Sequence, residues 1–500
     1  MPASTRLRLV DGEAGSCSLH SQAIMAKRTK IVATLGLVSD SREIIREMIE
    51  AGMNVARLNF SHGSYEWHGN VIKIIRELSA EMKKPIGIMA DLQGPRIRTA
   101  VQADVEIKTG DKIAVSDIEK IKNTKYEIQD TKYFLLDVPN IVDDIEVGNE
   151  ILIEDGLMKV VVKEKNDGVL LAEVIDGGTI KNHKGINIPD AKLNIDPITE
   201  KDEKDLEFSL KNEVDFVAMS FVSSGADIEL LRKKIEKILG RSENLPQIVA
   251  KIERKEAIKN LDDIIAHTDV VMVARGDLGI EMDESKVGVF QKEIVEKSLQ
   301  KMKPVIMATQ MLNSMIENPR PTRAEVSDVT NAVIDHVDAV MLSGEAANGK
   351  YPVESVRIMK DIIENTEISP YDNVTHLLKL KEDEDFKNFV KSAYALAKDE
   401  NVKAVAVASA SGFTARLASH FRLEKPLLVA TNNEKTYNQM SLIWGAEGFY
   451  FQEKELAKVA DEMIENQKTA GQLISGDLVA IVLGKEGAEE KTHSAKTKKI

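Results

Sequence analysis

Lys251, Glu253 and Asp277 are the residues whose types and spacing most clearly imply chemistry. Lys251 and Glu253 end one apolar run, QIVAKIE, and Asp277 follows the next, DVVMVARGD. Between the runs, Ala257, Ile258, Leu261, Ile264 and Ile265 recur at helical spacing. Strand, helix, strand brings a lysine and two carboxylates to the same end of two neighbouring parallel strands. Carboxylates from adjacent strands can share one hard cation, and Mg²⁺ takes one or two carboxylates plus waters and substrate oxygens. Lys251 points to the same side as Glu253, two residues on. A phosphoryl group in flight needs positive charge on its equatorial oxygens, which lysine and metal supply. The set suits phosphoryl or enolate chemistry; the bland alternative is a pair of salt-bridged acids.

The elements that position these groups are regular. KIVATL, NVARLNF, IGIMAD, DFVAMSF, QIVAKI, DVVMVA, PVIMAT and VDAVML are short β-branched runs, apolar on both faces, separated by amphipathic helical patterns. Eight such units point to an α/β fold, a (β/α)₈ TIM barrel. At or just beyond the C-terminal ends stand Thr34, Arg57 with Asn59 and Ser61, Asp91, Ser220, Lys251 with Glu253, Asp277, Thr309, and Ser343 with Glu345. Active sites of such barrels are built on that face. Within the first helical segment, Ser39 to Ser41 supply the cap and Gly52 the stop.

The alternation breaks between residues 96 and 190. Short strands with turns at Asp155-Gly156 and Asn166-Asp167-Gly168 predict a small inserted all-β domain. Pro95 and Pro189 flank it, and its place at the catalytic face suits a lid. The expected division is barrel at 27–95 and 191–368, insertion at 96–190, and a C-terminal α/β domain at 369–500. The charged stretch KLKEDEDFK leads into that last domain, and KTHSAKTKKI ends it as a partly solvated tail. Residues 1–26 lack periodicity and read as a disordered extension, with a targeting segment as the alternative.

At 500 residues the chain exceeds one ordinary core. Its net charge of −14 argues against nucleic acid as the main partner, and no apolar run could span a bilayer. A single cysteine, Cys17, excludes a disulfide framework and points to a reducing, cytoplasmic setting.

Further candidates gather around the same mouth. Arg57 and Arg98 can clamp phosphate bidentately. Asn59, Ser61 and Asp91 offer oxygens to a monovalent cation, and His62 is either a phosphate contact or a turn residue. The GDLG segment reads as a turn whose backbone N–H groups suit a substrate carboxylate. Thr309 and Ser343 have no paired histidine base, so they fit proton relay or substrate contact better than nucleophilic attack. PTRAE is a capping box, and Met272, Met307 and Met341 are core filler. There is no P-loop, so a nucleotide must use this cleft. SASGFTA suits an anion at a helix N-terminus or a plain connector.

NVARLNFSHG, DLQGPRIRT, KGINIP, IVAKIER, VARGDLGIE, ATQMLNSM, PTRAEVSDVTNAV and VMLSGEAANGKYP together resemble the pyruvate kinase family, over about residues 27 to 500. The resemblance implies phosphoryl transfer from phosphoenolpyruvate to ADP, with Mg²⁺ and K⁺, in a homotetramer. It implies Glu253 and Asp277 as Mg²⁺ ligands, Lys251 as transition-state stabiliser, and Arg57, Gly276, Asp277 and Thr309 as substrate contacts. Asn59, Ser61, Asp91 and the Leu92 carbonyl resemble the K⁺ site; Asn59, His62, Arg98 and Lys184 resemble the nucleotide contacts. Thr309 and Ser343 resemble participants in protonating the enolate carbon. Ser409, Ser411, Gly412 and Thr414 keep the character of the family's effector phosphate loop, where a phosphosugar would sit, although Glu489 and Glu490 would repel one.

Departures also carry expectations. Arg96 stands where many members have glutamate and others lysine; a fixed cation there can replace the monovalent ion, so activity is expected to persist without K⁺. Leu37, Asp190 and Ala346 replace a common proline, glycine and threonine without removing a catalytic group. Two other readings stay open at this point. One is a Mg²⁺-dependent aldolase or mutase using the same lysine and carboxylates, and the other is a catalytically dead binding protein.

Overall fold

The structure, a computed structural model, describes residues 27–124, 131–372, 392–453, 455–484 and 494–500. The N-terminal extension with Cys17, the KLKEDEDFK stretch, and Glu489 and Glu490 lie outside the described residues.

Eight parallel strands close into a barrel. In chain order they are β1 (Lys30–Thr34), β2 (Val55–Asn59) and β3 (Gly87–Asp91), then, after the insertion, β13 (Phe216–Met219), β14 (Gln247–Ile252), β15 (Val270–Ala274), β16 (Val305–Ala308) and β17 (Ala339–Leu342). Their order around the ring is β1-β17-β16-β15-β14-β13-β3-β2, so each strand lies beside its sequence neighbours and β17 closes on β1. Alternate residues fill the interior: Val32, Met89, Phe216, Val249, Met272, Ile306 and Met341 form one buried cluster. The opposite faces pack against the helices in a second cluster, which takes Met307. Two-sided burial is why the strands read as continuous apolar runs. The caps are as expected: Ser41 Oγ accepts from Ile44 N–H, Gly52 closes its helix at φ 123°, and Thr322 with Glu325 forms a reciprocal capping box.

Among the described residues, nine further strands lie between β3 and β13: β4 (Ile97–Ala100), β5 (Val105–Ile107), β6 (Lys112–Asp117), β7 (Tyr133–Leu136), β8 (Glu150–Ile153), β9 (Met158–Asn166), β10 (Val169–Asp176), β11 (Gly178–Ile180) and β12 (Gly185–Asn187). Seven close a second barrel, in the order β10-β6-β7-β4-β12-β8-β9, around their own apolar cluster. The β9–β10 hairpin turns through Asp167 and Gly168, and the β8–β9 hairpin through Asp155 and Gly156, all at positive φ. That is the backbone twist that favours Asp-Gly in tight hairpins.

The C-terminal residues form a five-stranded sheet, ordered β20-β19-β18-β21-β22. Its strands are β18 (Val402–Ala408), β19 (Leu427–Thr431), β20 (Ala446–Tyr450), β21 (Leu478–Leu483) and β22 (Ser494–Lys499). β22 corrects the expectation of a solvated tail: SAKTKK pairs antiparallel with β21 along six residues. The strand stays largely exposed, and its lysines suit an edge, since lysine is one way an edge strand resists further pairing. This sheet packs under the barrel, where Leu442 joins the interior cluster and Arg422 pairs with Asp338 at 3.0 Å. Among the described residues no helix is long and apolar enough to cross a membrane.

Closure of the barrel leaves little room where its first and last units meet. A Cβ on Gly36, just past β1, would lie 2.3 Å from the backbone oxygen of Ala347, in the short helix after β17. Both partners are backbone, so one segment must move. Gly36→Ala is expected to destabilise the barrel by about 1–3 kcal/mol, as overpacking does. A lowered thermal midpoint checks this, and an unchanged one refutes it.

Candidate active site

The register sets the C-terminal ends of β2, β3, β13 and β14 around one buried charge cluster. Asp91, at the end of β3, is 1% exposed and stands directly across from Asn59 on β2. Its Oδ2 accepts from Arg57 Nε at 2.7 Å and lies 2.6 Å from Arg57 Nη2. Its Oδ1 lies 3.3 Å from Lys251 Nζ, an ion pair without hydrogen-bond geometry. Lys251 Nζ also sits 2.8 Å from Glu253 Oε1 and donates to Ser220 Oγ at 2.7 Å. Ser220 in turn donates to the Leu92 carbonyl at 2.8 Å. Arg57 Nη1 donates to Thr34 Oγ1, completing a chain across five strand ends.

The protonation states follow from burial and pairing. Burial pushes Asp91 up, but Lys251 and Arg57 outweigh it and hold the carboxyl below its ordinary value. Burial pulls Lys251 down, and Asp91 with Glu253 more than offsets this, so the ammonium is kept. Glu253 goes the other way: burial raises it, Lys251 opposes, and Asp277 adds like-charge repulsion. Glu253 Oε2 accepts the Phe221 N–H at 2.8 Å, and Phe221 reaches that position through a left-handed φ of 57°.

A divalent cation fits this arrangement. Among the described residues no group of three or more metal-ligating side chains is assembled. Glu253 and Asp277 could still hold a divalent cation, which would relieve their mutual repulsion and leave its other positions to oxygens from water and substrate. The K⁺ set does not fit in the same way. Asp91 is already paired twice, the Leu92 carbonyl accepts from Ser220, and Asn59 Oδ1 accepts from the Ser61 N–H at 3.1 Å. Arg96, the expected substitute cation, does not reach Asp91; it is exposed and lies 3.8 Å from Asp155.

The GDLG segment is a correction. It is not a turn but part of a helix, Arg275–Glu281, that starts directly at the end of β15. The Gly276 N–H is not free there, since it donates to Thr309 Oγ1 at 2.8 Å. Thr309 sits at φ 66° and Gln310 at 55°, an unusual conformation for a β-branched residue. Arg275 braces that strained segment, donating to the Thr309 carbonyl at 2.7 Å and pairing with Asp328. Ser343, at the end of β17, donates its N–H to Glu345 Oε2, while Glu345 Oε1 takes the Leu312 N–H.

Of the nucleotide candidates, Arg98 and Lys184 lie on the inserted barrel, while Asn59 and His62 stand at the β2 end of the main barrel. Gly185 of β12 is in register with Arg98 of β4, and Thr99 N–H donates to the Lys184 carbonyl. The Lys184 ammonium is engaged by Glu154. His62 is exposed, and its carbonyl accepts from His68 Nε2 at 2.9 Å. Ser409, Ser411 and Gly412 form the loop after β18 and Thr414 lies in the helix that follows, and Ser409 Oγ accepts the Gly412 N–H. Gly412, at φ 82°, is the N-cap of the helix Phe413–His420. Ser220 and Glu345 stand in the strand-end set but were assigned no role. Arg275, which braces Thr309, and the Phe221 N–H were missed; no spacing signal identifies them.

Two family models match: pyruvate kinase, barrel domain, over residues 26–356, and pyruvate kinase, alpha/beta domain, over residues 387–497. The chain belongs to the pyruvate kinase family. It is 39% identical to a pyruvate kinase of Geobacillus stearothermophilus over 470 residues, 92% of this chain and 78% of that one. A pyruvate kinase of Staphylococcus epidermidis is 38% identical over 476 residues, 93% of this chain and 79% of its own length. The crystal structure of a pyruvate kinase from Cryptosporidium parvum superposes with a TM-score of 0.86 at 32% identity, covering 95% of this chain and 96% of that one. Membership makes the chain a phosphotransferase and removes the aldolase and non-catalytic readings.

Ser220 gives a test of the cluster. Its hydroxyl fixes the ammonium of Lys251 and satisfies the Leu92 carbonyl. A hydrogen bond to a charged group contributes roughly 1.5–3 kcal/mol. Ser220→Ala should therefore lower kcat about tenfold or more at little change in KM, measured by steady-state kinetics. An unchanged kcat would show that Asp91 and Glu253 hold Lys251 unaided.

Proposed function

We propose that the barrel mouth transfers the phosphoryl group of phosphoenolpyruvate to ADP, giving pyruvate and ATP as in the last step of glycolysis. The observation that carries these roles is the part-buried ammonium of Lys251 held beside Glu253, whose ionisation the charge of Asp277 also opposes. An oxygen of the ADP β-phosphate attacks phosphorus, the bond from phosphorus to the enol oxygen breaks, and the electron pair leaves on the enolate. Lys251 stabilises charge on the equatorial oxygens in transit, from a position that costs no rearrangement during the reaction. Arg57 holds the phosphate end of the donor. Glu253 and Asp277 would hold Mg²⁺, which supplies neutralisation of phosphate charge when bound. Gly276, Asp277 and Thr309 hold the carboxylate end.

The enolate carbon must then take a proton. The Thr309 hydroxyl accepts from Gly276 N–H and donates to the Ala308 carbonyl, so it is already part of a hydrogen-bonded chain. Thr309 and Ser343 relay a proton from solvent water to the enolate carbon in this reading, and the hydroxide left takes up a proton from bulk solvent. Asn59, His62, Arg98 and Lys184 hold the nucleotide, with the inserted barrel acting as a lid over it; Lys184 exchanges Glu154 for a phosphate. A homotetramer, an effector phosphate at Ser409–Thr414 and a cytoplasmic location complete the reading. The exposure of Ile368 (82%) and Tyr371 (75%), beside an apolar groove that includes Ile334, Ile358 and Ile362, supports burial against a second copy.

Two experiments test it. With phosphoenolpyruvate, ADP and Mg²⁺, pyruvate formation coupled to lactate dehydrogenase should be rapid, and Lys251→Met should lower kcat by about 10²–10³-fold. Binding of phosphoenolpyruvate should persist in that variant; full turnover would overturn the role of Lys251. The bonds already made by Asp91, the Leu92 carbonyl and Asn59, with Arg57 and Lys251 supplying positive charge at Asp91, support activity without a monovalent cation. Assay in buffer free of Na⁺ and K⁺ should retain most of kcat, and a large rescue by K⁺ would sink that expectation.

A further inference from the structure

The helix Arg275–Glu281 carries Asp277 at one end and a carboxylate the phosphoryl-transfer chemistry does not use at the other. Asp277 and Glu281 are four residues apart and so share a helix face. Glu281 is only 6% exposed. Its Oε1 accepts from Asn187 Nδ2 at 3.0 Å, and the Lys255 backbone and the Arg254 guanidinium offset only part of its burial. A buried carboxylate on the last residue of a helix faces the negative end of the helix dipole, so the contact calls for another explanation.

Asn187 supplies one. It ends β12, the strand that begins at Gly185 opposite Arg98 and follows directly on Lys184. The bond therefore runs from the helix of Gly276 and Asp277 to the strand beside both basic nucleotide candidates. The same helix touches the inserted barrel a second time: a Cβ on Gly156, in the β8–β9 turn, would lie 4.0 Å from Ile280 Cγ2. Asp277, Glu281, Asn187, Arg254 and Arg96 line one cleft of about 190 Å³ between the two barrels. Lys255 and Asp190 also pair across this junction, at 2.6 Å, but both are exposed and such pairs couple weakly.

We propose that Glu281 is a positioning residue that latches the donor-site helix to the inserted barrel, so that occupation of the donor site favours the lid position that binds nucleotide. This rests on the roles given above to Asp277, Arg98 and Lys184. Seven residues of helix between Arg275 and Glu281 transmit a shift at one end with little loss. The coupling is reciprocal, because linkage requires each ligand to change the affinity of the other by the same factor.

The test is a double-mutant cycle on ligand coupling. In the whole protein with Mg²⁺, the factor by which saturating phosphoenolpyruvate tightens ADP is measured, using KM for ADP across phosphoenolpyruvate concentrations. Glu281→Ala and Asn187→Ala should each cut that factor at least threefold, and the double variant no further. Glu281→Gln keeps an acceptor for Asn187 and should preserve most of the coupling. Equal coupling in parent and Asn187→Ala, or single effects that multiply in the double variant, would overturn the latch. So would a parent that is active but shows no coupling. Asn187 is half-buried on the inserted barrel, so its variant tests the idea even if Glu281→Ala fails to fold. A parent that forms no pyruvate would instead refute the phosphoryl-transfer reading itself.

Discussion

The rest of the site depends on Asp91. It is buried at the end of β3 and holds two cations, Arg57 from β2 and Lys251 from β14. Taking four charged groups out of water is expensive, and their attraction repays it only where geometry and further hydrogen bonds are good. Here Thr34, Ser220 and the Phe221 N–H supply those bonds. Removing one member would leave a buried charge without compensation, at a cost of about 3–5 kcal/mol. The cluster is poorly suited to stability for its own sake, since apolar residues of the same volume would serve the barrel as well or better. Its retention makes sense as a means of holding an ammonium charged and motionless.

Holding it in place also uses backbone strain. Phe221 at φ 57° and Thr309 at φ 66° are each turned left-handed just past a strand end. A residue in such a conformation costs on the order of 1–3 kcal/mol and persists only where its surroundings over-determine it. Phe221 is held by the bond its N–H makes to Glu253, and the Thr309 segment by Arg275. In both cases the turned residue bonds to a neighbouring strand end, Phe221 N–H to Glu253 and Thr309 Oγ1 to the Gly276 N–H. The barrel strands are regular; the deviations from regularity lie where they hand over to loops.

What was legible in the sequence follows from this division. The eight strands declare themselves through two-sided burial, and the strand-end residues through the abrupt change from apolar to polar. Lys251, Glu253, Asp91 and Arg57 were recoverable because period-two alternation and parallel neighbourhood decide which side chains meet. The helix at Arg275–Glu281 was read as a turn because two glycines in seven residues argue against helix, and tertiary contact through Leu278 and Glu281 overrides that propensity. The edge strand Ser494–Lys499 was hidden because its pairing depends on β21 and its alternation is polar on both faces. The position of Arg96 was beyond reach, since a hinge residue's side chain is placed by two bodies at once. Ser220 shows the same limit at shorter range: its position was visible, but its bond to Lys251 belongs to the assembled mouth.

The charges at the mouth also explain why the site is built half-finished. Two cations, Arg57 and Lys251, face three carboxylates, Asp91, Glu253 and Asp277. Taken by itself, this cluster carries one more negative charge than positive, the wrong sign for anionic substrates. Asp91 cannot be spared, because it keeps Lys251 protonated and Arg57 aligned. Glu253 and Asp277 are the surplus, and burial together with their mutual repulsion already makes Glu253 reluctant to ionise. A divalent cation drawn from solution reverses the sign at that point and relieves the repulsion in one act. The fixed lysine then acts in a field that the protein alone does not provide, which ties its usefulness to the presence of the metal.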